Sequence, residues 1–159
     1  MNENTLTNVL EERHSGRSFD PSKKVSDKDL NELIKASHIA PSCYNDQPWR
    51  FLICSKENDS ANFQKIWQAL AEGNQKWAGQ ASHLIVVCSD TLFQRNSKPN
   101  RWGSYDSGAA AVFMMLKATE LGLLTHQMGG FDEKKIAESF DIPSRYIPMS
   151  VMALGYEQI

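Results

Sequence analysis

The run from Leu84 to Cys88 constrains the fold of this chain more than any other feature of its sequence. Its residues are apolar throughout, with β-branched side chains at both odd and even positions, whereas a strand with one solvated face alternates apolar and polar residues. A strand of this kind is covered on both faces. The run therefore predicts a central strand in a layered domain, with helices on each side of a sheet.

Helical and strand patterns alternate along the rest of the chain, which favours an α/β or α+β domain. Ser26 is a predicted helix cap with Asp29 three positions later, and Pro41 ends that helix. The other patterns predict helices over Asn4–Arg13, Ala61–Trp77, Tyr105–Gly122 and Asp132–Phe140, strands over Trp49–Cys54 and Met149–Tyr156, and a loop over Thr91–Gly103. The helix that ends at Gly122 is apolar nearly all round and is predicted to be buried.

Size and charge limit the class of protein. The chain has 159 residues, so we expect one domain over residues 1–159. A formal net charge of −2 argues against a nucleic-acid partner. The longest strongly apolar run, Gly108–Leu116, is shorter than the roughly 20 residues that span a bilayer, and no signal-peptide pattern opens the chain. We therefore expect a cytoplasmic protein without a membrane partner.

The cysteines and histidines do not form a recognisable framework. The three cysteines cannot all pair within one chain and include no CxxC motif, and the four histidines lack metal-ligand spacing. We expect reduced thiols and no metal site. The residues concerned are Cys43, Cys54 and Cys88, and His14, His38, His83 and His126.

The first candidate site is the segment Arg13–Arg17, in which two arginines flank Ser15 at the end of the first helix. The planar fork of donors on arginine suits a phosphate or another delocalised anion, and the serine hydroxyl adds a donor. A solvated basic turn is the alternative interpretation. On spacing alone that alternative is favoured, because arginines four residues apart are common.

Two further segments are candidates for holding a flat ligand. Ala40–Trp49 combines prolines, side-chain amides and hydroxyls in ten residues, which predicts a rigid loop with donors and acceptors for a heteroaromatic edge. Met128–Asp132 places two glycines ahead of a helix, so backbone N–H groups can approach a flat ring closely. An ordinary connection and an ordinary turn are the respective alternatives.

Other chemistries have weaker support in the sequence. A thiol nucleophile at Cys43, with His38 or His14 as base, lacks an oxyanion-hole motif. Neither a strand–GxGxxG–helix fingerprint nor a GxxxxGK[ST] loop is present. The three candidate segments therefore carry the functional interpretation.

Together, the segments Arg13–Phe19, Ala40–Phe51, Gly129–Asp132 and Ala153–Tyr156 resemble the nitroreductase family of FMN-dependent oxidoreductases. The resemblance extends from about residue 9 to residue 156, and Pro-Ser-x-x-Asn-x-Gln-Pro-Trp is its most specific part. It implies an α+β fold, a three-layer sandwich whose central mixed, mainly antiparallel sheet is flanked by helices. It also implies a homodimer with two FMN sites at the subunit interface.

The resemblance assigns roles to individual residues. Arg13 would hold the FMN phosphate with Ser15 beside it, and Arg17 would face the pyrimidine edge, where it stabilises the negative charge that reduction places near N1 and O2. The 40–49 loop would contribute partly from the other subunit, the glycines would lie near N5, and Phe131 would contact the acceptor. The implied cofactor-binding set is Arg13, His14, Ser15, Arg17, Ser42, Cys43, Asn45, Gln47, Asn74, Gly129 and Gly130.

The implied reaction moves hydride from NAD(P)H through FMN to a nitroaromatic, a quinone or a similar flat acceptor by a ping-pong mechanism, without a protein nucleophile. The alternatives are a flavin-binding or flavin-handling protein with little turnover and, third, a thiol-dependent enzyme. Cys43 stands where many members of the family have serine, so we expect an oxidisable site. The sequence ends at Ile159, where typical members continue into a basic tail, so we expect a weaker hold on the phosphate and a smaller dimer.

Overall fold

A four-stranded antiparallel sheet forms the middle layer of the structure, a computed structural model that describes residues 5–159. The helices are α1 (Leu6–Glu12), α2 (Asp27–His38), α3 (Ser60–Ala69), α4 (Glu72–Ala78), α5 (Gly103–Glu120) and α6 (Glu133–Ser139). The strands are β1 (Trp49–Ser55), β2 (His83–Asp90), β3 (Leu124–Met128) and β4 (Tyr146–Gly155), in the sheet order β1-β2-β4-β3. The predicted α+β class is confirmed.

The strand β2 is central, as the run Leu84–Cys88 predicts. It pairs with β1 on one side and β4 on the other, and all of its residues are buried. Leu84 and Val86 face a core that includes Ile66 of α3 and Ile136 of α6, while Ile85 packs in a second core under α2 and α5. Both faces of the strand are therefore covered by helices, which is why it carries no polar alternation.

Side-chain caps begin two of the helices, α2 and α6, at the predicted positions. The Ser26 hydroxyl accepts a hydrogen bond from the Asp29 backbone N–H at 3.1 Å, and the Asp132 carboxylate accepts one from the Lys135 N–H at 2.9 Å. Gly122 follows α5 with a φ of 72°, a left-handed conformation that glycine adopts without strain. The first helix is present over Leu6–Glu12, while Asn4, where its predicted start falls, lies outside the described residues.

The single helix predicted over Ala61–Trp77 is wrong, because the chain breaks between α3 and α4. Leu70 is extended and forms an isolated bridge with Phe131. On either side of that bridge, the Ala71 N–H donates to the Gly130 carbonyl at 2.9 Å and the Asp132 N–H donates to the Ala69 carbonyl at 2.7 Å. Hydrogen bonds to a distant segment thus replace the helical ones at a point with no proline or glycine.

Two other features differ from the sequence predictions. The edge strand β3 was not predicted, since His126 and Gln127 interrupt its apolar pattern; both side chains form hydrogen bonds within the protein. The helix α5 is not buried all round, because one face leaves Tyr105, Val112 and Phe113 exposed. Among residues 5–159, no helix combines the length and apolarity that crossing a membrane requires.

The start of α5 gives a prediction about stability. A Cβ at Gly103 would overlap the Asp90 carbonyl oxygen and lie 2.8 Å from the Ser89 hydroxyl. We expect Gly103→Ala to lower the free energy of unfolding by about 2 to 3 kcal/mol, because the helix must shift to fit the methyl group. Gly73→Ala in α4 meets nothing within 4 Å and should stabilise by up to about 1 kcal/mol through helix propensity.

Urea unfolding of the two variants beside the unmodified protein measures both effects. Equal stability of the Gly103→Ala variant would show that α5 does not start against β2.

Candidate functional site

The turn after α1 places two of the predicted anion-binding side chains together. Arg13 is the C-terminal cap of α1, and its Nη1 donates to the Ser15 Oγ at 3.4 Å. Ser15 is exposed and Arg13 is half-buried, so the hydroxyl and the guanidinium can reach the same ligand. This arrangement suits a phosphate group, which accepts several hydrogen bonds from neighbouring donors.

His14, in the same turn, is engaged by the protein itself. Its Nδ1 lies 3.0 Å from the Glu12 carbonyl oxygen and its Nε2 lies 3.1 Å from the Glu157 carboxylate. The hydrogen bond to Glu12 and then that to Glu157 raise the pKa of His14 above its usual value. The ring therefore ties the turn to the residues that follow β4.

Gly16 and Arg17 complete the turn and contact α4 and β3. The Gly16 carbonyl oxygen lies 3.0 Å from the Nδ1 of His126 in β3. The Arg17 guanidinium lies 5.9 Å from the centre of the Trp77 ring in α4, and the His126 ring lies 4.5 Å from that same centre. The backbone and the side chain of this part of the turn are thus held by two aromatic rings.

The glycine turn after β3 reaches the same helix. Asn74 stands one helical turn before Trp77, and its Nδ2 donates to the Gly130 carbonyl oxygen at 3.0 Å. Gly129 and Gly130 are exposed, and a Cβ at Gly129 would meet nothing within 4 Å. The helix α4 therefore brings the Arg13–Arg17 turn and the Gly129–Gly130 turn together at one edge of the sheet.

The third predicted segment forms a strained loop ahead of β1. Tyr44, Asn45 and Gln47 have φ values of 56°, 54° and 50°, a region that side-chain-bearing residues rarely adopt. The Gln47 N–H donates to the Ser42 Oγ at 3.0 Å, and the Gln47 side-chain amide donates to the Asn45 Oδ1 at 3.0 Å. The loop thus holds its own amides and hydroxyl in a defined arrangement.

Two aspartates that were not predicted as site residues fasten this loop. The Asp106 carboxylate, in the first turn of α5, accepts from the Cys43 N–H at 2.9 Å. Asp46 is buried, and its carboxylate accepts from the Gln94 N–H at 2.9 Å and from the Asn100 side-chain amide at 3.5 Å. No local sequence pattern points to either aspartate, because their hydrogen-bond partners are about 50 to 60 residues away in the sequence.

The loop lies far from the other two turns. Trp49 starts β1 directly after the loop, and Met128 ends β3 directly before the glycines, on opposite edges of the sheet. Three strand spacings and four residues of register separate the two, which corresponds to roughly 20 Å. One chain therefore brings together two of the three predicted segments and leaves the third apart.

The loop borders an open groove of about 500 Å³ between α2 and β1, lined in part by His38, Asn45, Gln47 and Arg50. Cys43 is half-buried in this region, while His14, one of its two suggested bases, is tied to Glu12 and Glu157 at the other edge.

The other two thiols, Cys54 and Cys88, are buried. Burial raises the pKa of Cys54 to about 12 and that of Cys88 to about 11, so neither is a ready nucleophile. In the part of the chain that the structure describes, no group of three His, Cys, Asp or Glu residues is arranged to hold a metal ion.

Comparison with known proteins finds a family whose model spans all three candidate segments. The model of the family described as the Nitroreductase family matches residues 10–156. This chain belongs to the nitroreductase family. The match includes all three candidate segments and the strand β4, so the resemblance inferred from the motifs is confirmed.

Individual relatives are similar to this chain over half of its length or more. A crystal structure described as an oxidoreductase containing FMN superposes with a TM-score of 0.89 at 33% identity, covering 100% of this chain and 80% of that one. A nitroreductase family protein from Clostridium difficile 630 gives a TM-score of 0.77 at 26% identity, with 98% and 86% covered. An oxygen-insensitive NAD(P)H nitroreductase from Salmonella typhimurium is 31% identical over 86 residues, 54% of this chain and 40% of that protein.

Proposed function

We propose that this nitroreductase-family chain is an FMN-dependent oxidoreductase that uses NAD(P)H to reduce a nitroaromatic, a quinone or a similar flat acceptor. The observation that carries the proposal is the junction at α4, where Trp77 meets Arg17 and Asn74 meets Gly130. This junction puts a cationic turn beside an open glycine turn, and a solved structure 33% identical to this chain is described as an oxidoreductase containing FMN. A basic surface turn alone would need no such junction.

The residues at this junction fit FMN by their chemistry. Arg13 and Ser15 offer neighbouring donors for the phosphate, and the exposed guanidinium of Arg17 offers positive charge for the pyrimidine edge. The open space at Gly129 lets a flat ring approach the backbone. The Asn74 side-chain amide donates one hydrogen bond to the Gly130 carbonyl oxygen, so it supports the glycine turn as well as facing the site. When bound, FMN supplies the hydride and electron transfer chemistry that no side chain here provides.

A homodimer belongs to the same proposal. The loop with Ser42, Cys43, Asn45 and Gln47 is separated from the α4 junction within one chain, so a partner has to bring its own loop to complete the site. The exposed face of α5, with Tyr105, Val112 and Phe113, offers the apolar surface for such contact, and it begins where Asp106 holds the loop. The free thiols, which a reducing compartment preserves, support a cytoplasmic location.

Steady-state kinetics test the activity and its order. If NAD(P)H and the acceptor occupy the same open face in turn, double-reciprocal plots at several acceptor concentrations should give parallel lines, with inhibition by excess acceptor. The protein as purified with FMN is assayed by NAD(P)H oxidation with a nitroaromatic and with a quinone. Intersecting lines would contradict the shared face. A yellow protein without NAD(P)H oxidation would instead identify a flavin-binding protein with little turnover.

Phe131 is the proposed contact for the acceptor. Its ring is half-buried against the core that contains Leu70, and its backbone forms an isolated bridge with the backbone of Leu70. We expect Phe131→Ala to reduce turnover of a nitroaromatic by about two- to tenfold, since a ring contact contributes about 0.5 to 1.5 kcal/mol, with a smaller effect on FMN affinity. FMN titration and thermal unfolding of the variant accompany the assay. A loss of FMN at unchanged stability would assign Phe131 to the cofactor.

A further inference from the structure

We propose that Trp77 is the positioning residue for Arg17, so that a side chain outside the predicted site controls how strongly the site favours reduced FMN. The inference rests on the proposed function, in which Arg17 faces the pyrimidine edge of the cofactor. The contact between Arg17 and Trp77 is made by the protein alone, so it can be tested both with and without bound cofactor.

The contact joins an exposed charge to a half-buried ring. The Arg17 guanidinium carbon lies 5.9 Å from the centre of the Trp77 ring, within the range of a cation–π interaction. Among residues 5–159, none of the ion pairs joins Arg17 to a carboxylate. The indole can therefore restrict this long, exposed side chain.

The indole is itself held in place by two other rings. The His126 ring lies 4.5 Å from the Trp77 ring at an angle of 41°, and the buried Phe19 ring stacks at 6.1 Å with an angle of 13°. His126 also lies 3.0 Å, through Nδ1, from the carbonyl oxygen of Gly16, the residue before Arg17. Backbone and side chain of the arginine are therefore positioned from the same aromatic cluster.

A charge that is held in place stabilises a developing negative charge better than a mobile one, because no reorganisation is needed during the reaction. A mobile guanidinium is hydrated and its field is screened by salt. Loss of the Trp77 ring should therefore lower the preference of the site for reduced FMN, as loss of the Arg17 charge does, but by a smaller amount. Once that charge is gone, loss of the ring should leave the preference unchanged.

The experiment measures the ratio of the affinities for reduced and oxidised FMN, obtained from the reduction potential of the bound cofactor. We expect Arg17→Ala to lower the ratio about tenfold, which is about 30 mV for a two-electron couple. Trp77→Leu should lower it about threefold. The double variant should match Arg17→Ala, because both changes remove one interaction. Effects that add in full, or no change in Trp77→Leu, would overturn the proposal.

Matched variants separate positioning from general packing. Trp67 is also half-buried and its Nε1 donates to the Gln75 carbonyl oxygen, away from Arg17, so Trp67→Leu should leave the ratio unchanged. Trp77→Phe keeps an aromatic face and should therefore lower the affinity ratio less than Trp77→Leu does. A shift in Trp67→Leu equal to that in Trp77→Leu would indicate packing alone and overturn the proposal.

A second readout needs no cofactor. In 15N-labelled protein freed of FMN, the Arg17 Nε–H resonance should carry a ring-current shift that Trp77→Leu removes and Trp67→Leu preserves. An unchanged resonance in Trp77→Leu overturns the proposal whatever the enzyme does. Conversely, an unmodified protein that binds no FMN refutes the proposed function, and an unchanged potential in Arg17→Ala refutes the role of Arg17 together with this inference.

Discussion

Coexpression of two damaged variants is expected to restore FMN binding. One variant carries Arg13→Ala, and the other carries N45G together with Q47G. Each variant on its own should bind FMN about ten- to a hundredfold more weakly, since a charge-assisted phosphate contact or a pair of side-chain amides is removed. Glycine suits both loop positions because Asn45 and Gln47 have positive φ values of 54° and 50°.

The restoration follows from the separation of the two half-sites within one chain. In a mixed dimer, one site would receive both damaged halves and the other would receive an intact Arg13 turn and an intact loop. Chains with different affinity tags, purified in tandem, should therefore hold about one FMN per dimer at a concentration that saturates the unmodified protein but neither variant.

A matched pair controls for mere dimer exchange. Arg13→Ala and Ser15→Ala both remove a phosphate donor from the same half of the site, so a mixed dimer of these two chains has no intact site and should recover nothing. Recovery in that pair, or none in the first pair, would contradict a site shared between subunits.

Val112→Glu is expected to convert the protein into a monomer that no longer holds FMN. Val112 lies on the exposed face of α5 between Tyr105 and Phe113, and 46% of its surface is accessible in the single chain. A carboxylate buried in an apolar interface without a partner costs several kcal/mol, enough to dissociate a dimer at micromolar concentration. Sedimentation should give about 17.9 kDa, where the unmodified protein should give about twice that mass.

The control places the same charge on another helix. Ala61 is exposed on α3, on the other side of the sheet from α5, and Ala61→Glu should leave both the mass and the FMN content unchanged. Circular dichroism checks that the Val112→Glu chain is folded. A folded monomer that binds FMN as tightly as the unmodified protein would refute the interface site.

Several predictions from the sequence depend on neighbouring residues and were confirmed. Ser26 and Asp132 cap their helices because a cap needs only a side-chain oxygen and an N–H three positions later. The burial of β2 follows from a run of five residues that has no polar face. The motifs likewise identified the family, since their order and spacing are properties of the chain itself.

Features that depend on distant residues were not predicted. The helix break at Leu70 results from hydrogen bonds to Gly130 and Asp132, about 60 residues further along the chain. The strand β3 forms because β4 supplies a partner, although its polar residues suggest a loop. In both places local preference favours one conformation and a tertiary contact imposes another.

The sequence by itself determined the central strand, the helix caps, the family and the three segments with suitable chemistry, because each is encoded by residues within a few positions of one another. Only the tertiary structure decided which segments meet. It joined Arg17 to Trp77 and Asn74 to Gly130 across 60 and 56 positions, and it placed the Asn45 loop at the opposite edge of the sheet. Contacts of this kind depend on how layers pack around the core, and no periodicity along the chain records them.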